Sequence, residues 1–203
     1  MKILRRGFVF FIRAAVIVAV IAIGAGALAR ETVPQNAVAA ETGGKKALII
    51  FYSWSGNTRG IAARIHQKTG GDLVELEIVK PYSANYNTCL DEAKRDQEQN
   101  VRPELKTRIP DMGQYDVVYL GYPNWWNSIP MPIATLLESY DFSGKIIAPF
   151  CSHGGGRLGR SVTDIARLAP NATVTEGLSV HSGGGSSLSR DIDDWLAKNG
   201  LGA

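Results

Sequence analysis

A chain of 203 residues has room for one domain of ordinary size and an extra segment. With 45% apolar and 20% charged residues it is no disordered chain, and it can bury a real core. The formal charge of +3 belongs to the N-terminal end. Residues 1–39 hold Lys2, Arg5, Arg6, Arg13 and Arg30 against Glu31, which leaves 17 of the 22 basic and 18 of the 19 acidic side chains elsewhere. The remainder therefore offers no overall positive field to nucleic acid.

Residues 1–39 read as a signal peptide. Lys2, Arg5 and Arg6 precede the apolar run Ala14 to Leu28; a polar stretch with Pro34 and Ala37-Val38-Ala39 follows, placing cleavage after Ala39. Ala27-Leu28-Ala29 is a second candidate site. The pair in Arg5-Arg6-Gly7-Phe8-Val9-Phe10 resembles the twin-arginine export signal, although no Ser or Thr precedes it. That route carries folded proteins, so a cofactor can be loaded before export. The expected location is periplasmic. General secretion stays open, as does an uncleaved anchor, which is the chain's one expected contact with a membrane.

Residues 40–45 form a polar linker, and 46–203 read as one domain. Ala47 to Tyr52 is a continuous apolar run of strand length. Thr58 to Lys68 places Ile61, Ala62 and Ile65 at helical spacing, and Asp72 to Ile78 alternates as a strand. Thr88 to Gln99 is polar and helix-favouring; Asp116 to Gly121 is a buried strand; Met131 to Tyr140 is a helix with Ile133, Leu136 and Leu137 inward. Lys145 to Cys151, Gly159 to Leu168, Thr173 to Val180 and Ser187 to Lys198 complete the alternation as strand, helix, strand and helix. This order predicts an α/β fold: a doubly wound five-stranded parallel sheet, order 2-1-3-4-5, with helices on both faces. Ligands of such sheets bind at the carboxyl ends of the strands, here after Tyr52, Gly121 and Cys151.

Three loops lie there. Ser53-Trp54-Ser55-Gly56-Asn57-Thr58 opens straight into a helix, where unpaired backbone N–H groups and the helix dipole favour an anion. Gly56 lets the backbone approach it closely. Helix capping by Ser55 or Asn57 is the plainer alternative, but capping needs one such residue and not four in six. No Gly-Lys-Ser or Gly-Lys-Thr follows, so this is not a Walker loop. The second loop holds Pro123-Asn124-Trp125-Trp126-Asn127, a platform for a flat ring. Adjacent tryptophans in an extended loop point different ways, so at most one joins the core. The third is Ser152-His153-Gly154-Gly155-Gly156, followed by Arg157. Gly154, Gly156 and Gly159 spell G-x-G-x-x-G, but after the fourth strand rather than the first, so a dinucleotide site is the lesser reading.

These loops, in this order over nearly all of 46–199, resemble the small bacterial flavodoxin-like family. The hydroxyl loop resembles its phosphate loop, the Pro-x-Trp-Trp segment the stretch along the isoalloxazine, and the Ser-His-Gly-Gly run its third loop. The resemblance implies FMN, held by Ser53 to Thr58, Pro123 to Asn127 and Ser152 to Gly156. It gives Arg157 no role. The implied function is an FMN oxidoreductase passing electrons or hydride to a small acceptor such as a quinone, with NAD(P)H a possible donor. A non-enzymatic carrier docking redox proteins stays open, and so does a binding module that has lost its cofactor. The acidic surface of long-chain flavodoxins is missing, which weakens the carrier.

Other signals count for less. No G-x-S-x-G elbow exists, His66 reads as a solvated helix residue, and His181 as part of a flexible loop, so no metal set is expected. Asn171-Ala172-Thr173 is a glycosylation sequon, without meaning in a bacterium, the source that the leader suggests. Cys89 and Cys151 make no disulfide framework; they read as separate thiols, a single bridge remaining open.

Overall fold

A computed structural model of the chain describes residues 44–202. The leader, its arginine pair and both cleavage sites lie outside the described residues.

The first strand, β1 (Ala47–Phe51), is buried along its whole length, as a strand covered on both faces must be. It pairs in parallel with β2 (Asp72–Glu75) on one side and β3 (Val117–Pro123) on the other. β3 pairs with β4 (Ile146–His153), and β4 with β5 (Thr173–Val174), giving the order β2-β1-β3-β4-β5.

The two-residue period of β1 divides the core. Leu48 and Ile50 face one side with Val118, Leu120 and Tyr122, against Ile133, Leu136 and Leu137 of α3 (Met131–Ser139) and Ile165 of α4 (Ser161–Leu168). Ala47, Ile49 and Phe51 face the other with Tyr119 and Phe150, against Ile61 and Ile65 of α1 (Asn57–Thr69). That side is closed by Ile192 and Trp195 of α5 (Leu188–Lys198). Each fully buried Ile or Leu contributes about 1.5–3 kcal/mol. α2 (Tyr86–Glu98) is mostly polar, burying Cys89 and Ala93. Both cysteines are free and buried; burial pushes the Cys89 thiol up to about 11 and Cys151 to about 12.

Three expectations need correction. The fifth strand breaks in two: after β5 the chain leaves the sheet and rejoins β4 as β6 (Leu178–His181), one residue out of step. The cause lies in β4. Thr175 N–H donates to the Ile147 carbonyl (2.9 Å), and the next β4 amide facing the same edge, two residues on, belongs to Pro149, which has no N–H to give. β2 also ends early, at Glu75. Beyond it the chain turns to a new partner: Ile78 bridges Leu105 in antiparallel sense, flanked by Val79 N–H to Glu104 O (2.9 Å) and Lys106 N–H to Glu77 O (2.8 Å). His66 is half-buried rather than solvated, and its Nδ1 is shielded from water.

Candidate functional site

The last β1–β3 ladder bond, Tyr52 N–H to Gly121 O (3.0 Å), delivers the chain to the first loop. Gly56 sits just before α1 with φ 90°, a left-handed conformation suited to glycine. Neither Ser55 nor Asn57 caps the helix. Instead Ser53 Oγ folds back to accept from Gly56 N–H (3.2 Å) and Arg59 N–H (3.3 Å). The N–H groups of Ser55, Asn57 and Thr58 have no acceptor among the described residues, which leaves three donors at the positive end of a 13-residue helix. Arg59 beside them is neutralised by a bidentate pair with Glu75 (2.8 and 2.6 Å). Thr58 is fully buried, its hydroxyl 2.8 Å from Ser152 Oγ, so the first loop is pinned to the end of β4.

In the second loop Trp125 and Ser128 exchange both backbone bonds (3.1 Å each) around Trp126 (φ 50°) and Asn127 (φ 64°). This is a mirror-image tight turn, a left-handed position that an aromatic residue rarely takes. The two indoles diverge. Trp125 packs edge-on against Tyr52 (5.6 Å) and Tyr82 (5.2 Å). Trp126 stays 42% exposed, donating Nε1–H to Leu90 O of α2 (3.0 Å) beneath the Lys94 ammonium.

The third loop is tied to the second through Asn124. Its N–H donates to Ser152 O (2.8 Å), and its Nδ2 to Gly156 O (3.2 Å) and Arg157 O (2.6 Å). His153 Nδ1 accepts from Gly155 N–H (3.0 Å), so the neutral ring carries its proton on Nε2. His153 is held below its usual range by burial, then by His181, 5.6 Å away ring to ring, and by Arg157. His181, read from the sequence as a loop residue, is the last residue of β6.

Together the loops form a cleft of about 390 Å³. Trp54, Ser55 and Asn57 line it from the first loop, Pro123, Asn124, Trp125 and Trp126 from the second, and Ser152, His153 and Gly154 from the third. Among the described residues no charged side chain lines it. Ser53, Gly56, Thr58, Asn127, Gly155 and Gly156 lie outside the lining and act as supports. Asn127, for instance, accepts Arg160 N–H on its carbonyl (2.9 Å) and leaves no room for a side chain at Gly159. Arg157 does not reach the cleft either. Three lining residues were missed: Tyr86 and Leu90 of α2, and Ser182. Tyr86 is 61% exposed and faces Trp54 at 6.0 Å, so a lone aromatic at the start of a polar helix was the available signal. Ser182 opens a fourth glycine loop at a strand's carboxyl end, its N–H donating to His153 O (2.9 Å).

The arrangement suits a flat molecule with an anion at one end. A doubly wound parallel sheet with this cleft at the ends of β1, β3 and β4 defines the flavodoxin-like class of α/β proteins. Residues 46–199 match the flavodoxin family model, and the chain belongs to that family. Two candidate flavoproteins of known structure are similar. The one from Bacteroides eggerthii has 28% identity and a TM-score of 0.68 over 76% of this chain and 98% of its own. The one from Bacteroides uniformis has 25% identity and a TM-score of 0.67 over 75% and 98%. A flavoprotein from Lactobacillus acidophilus, solved in complex with FMN, has 26% identity and a TM-score of 0.59 over 74% and 98%. No curated protein matches the sequence.

Proposed function

We propose that this flavodoxin binds FMN and works as an oxidoreductase, passing electrons or hydride to a small acceptor such as a quinone. The observation that carries this is the pair of unpaired N–H groups of Ser55 and Asn57 at one end of a cleft whose other end is aromatic. A phosphate fits the first, with no carboxylate among the described residues of the lining to repel it, and a flavin ring fits the second, beside Trp125, Trp126 and Gly154. Bound FMN would supply the redox chemistry. The chain's part would be to hold the phosphate at the first loop and the ring beside the indoles, with His153 Nε2–H, fixed by the Gly155 N–H bond to Nδ1, available as a donor. Arg157, outside the lining, bears on the site through its charge near His153 and through its carbonyl, which holds Asn124 Nδ2 (2.6 Å). The FMN complex of the Lactobacillus relative supports the cofactor.

A visible absorption spectrum of the purified protein, repeated after FMN addition and dithionite titration, tests the proposal. Flavin bands bleached by dithionite are expected; a colourless protein after reconstitution would overturn it. A second reading, a carrier docking redox proteins, draws on the exposed Tyr86 and Trp126 at the cleft mouth. It predicts no turnover with NAD(P)H and quinone. We also propose export through the twin-arginine route. Lysine at both Arg5 and Arg6 should hold the precursor in the cytoplasm, and unimpaired export would refute that route.

A further inference from the structure

Beside the flavin cleft lies a second one of about 690 Å³, at the carboxyl end of β2. Its lining is largely apolar: Leu76, Ile78, Val79, Pro81 and Tyr82. The Ile78–Leu105 bridge fixes the floor, and Tyr82 is anchored by its hydroxyl, which donates to Asp96 (3.0 Å). Trp54 and Ser55 border both clefts, Ser53 lines the second, and the Trp54 indole is fixed by Nε1–H donation to Ser83 O (3.0 Å). The cavity is therefore preformed, and its volume falls within the range of about 300–1,000 Å³ usual for small-molecule sites.

The chemistry of the lining narrows the ligand. Its charged groups are already matched: Glu77 pairs with Lys106 (2.8 Å), and Glu75 with Arg59 (2.6 Å). Among the described residues no free charge is left in the lining to recognise an ion. Tyr52 borders this cleft and not the flavin's; it is only 7% exposed, and its hydroxyl has no hydrogen-bond partner among the described residues. Burial pushes its phenol well up, so it stays protonated and can only gain by donating. Two aromatic walls and one waiting donor call for a flat ring with a carbonyl oxygen.

We propose that this second cleft binds a neutral, planar, carbonyl-bearing molecule of the quinone class, its oxygen accepting from Tyr52 and its ring lying against Tyr82, with Trp54 between it and the flavin cleft. The inference rests on the proposed flavin chemistry for the ligand's purpose, but binding itself needs no flavin.

Calorimetric titration of the purified protein with menadione, before and after FMN loading, tests it. One-to-one binding is expected in both forms. Tyr52→Phe should weaken it about fivefold, the loss of one neutral hydrogen bond, while leaving the binding of naphthalene, which has no carbonyl, unchanged. Val79→Trp, at a position 49% exposed on the rim, should fill the cleft and abolish menadione binding without altering FMN uptake. Absence of binding to the wild type, affinities indifferent to both substitutions, or displacement of menadione by FMN would each overturn the site. Failure of the flavin proposal shows separately, as absence of flavin bands in the loaded protein.

Discussion

At the residue scale, the contact between Thr58 and Ser152 holds the site together. Both side chains are buried, and neither hydroxyl finds water readily if the other is removed. Thr58→Val keeps the shape and deletes one hydroxyl, stranding Ser152 Oγ. A loss of about 1–3 kcal/mol in urea unfolding is expected, together with weaker FMN binding. His153 sets a pH dependence. Its folded pKa lies below the ordinary 6.5, so below that pH the unfolded chain takes up more protons than the folded one. This contribution is fully present above 6.5 and is lost as pH falls toward the folded value. The urea midpoint should drop less between about pH 7 and pH 5 in His153→Asn than in the wild type. The hydroxyls and the histidine could be read from the sequence as site residues. That Ser53 and Thr58 support the loop while Ser55 and Asn57 face the cleft could not, because it depends on the left-handed turn at Gly56 and on where β4 ends.

At the scale of elements, β3 and β4 meet with Gly121 opposite Phe150. A Cβ at 121 would overlap the Phe150 ring and come within 2.7 Å of Phe51 Cβ. Gly121→Ala should therefore cost about 1–3 kcal/mol by overpacking. In Phe150→Leu the ring is gone, and adding Gly121→Ala should cost measurably less than it does alone; strict additivity in a double-mutant cycle would count against this packing. The divided edge strand has its own support. The exposed backbone of Glu176 is taken up by α5, with Trp195 Nε1–H donating to its carbonyl (2.8 Å) and Asn199 Oδ1 accepting its N–H (3.1 Å). A strand-length stretch from Thr173 to Val180 does not reveal such a break, since its cause, Pro149, lies on the neighbouring strand.

For the whole molecule, binding and stability are linked. If FMN occupies the native state alone, an excess about a hundredfold over its dissociation constant should raise the unfolding free energy by about 2.7 kcal/mol. A midpoint that does not move with FMN would contradict specific binding. The two-faced core anchors the cleft: alternate residues of β1 are committed to opposite helix layers, so the strand ends that carry the loops cannot slip by one residue without turning the core inside out.

What the sequence by itself determined is the alternation of strands and helices, the parallel order and the loops that would meet, because hydrophobic period and chain direction are local properties. The division of labour within those loops was decided only in three dimensions. Which tryptophan packs inward depends on Tyr52 and Tyr82; the roles of Tyr86 and Ser182 depend on α2 and β6 being brought to the cleft; and the second cavity exists only because the chain after β2 turns to pair with Leu105. Those are contacts between segments distant in the chain, and nothing in the local pattern of residues encodes them one segment at a time.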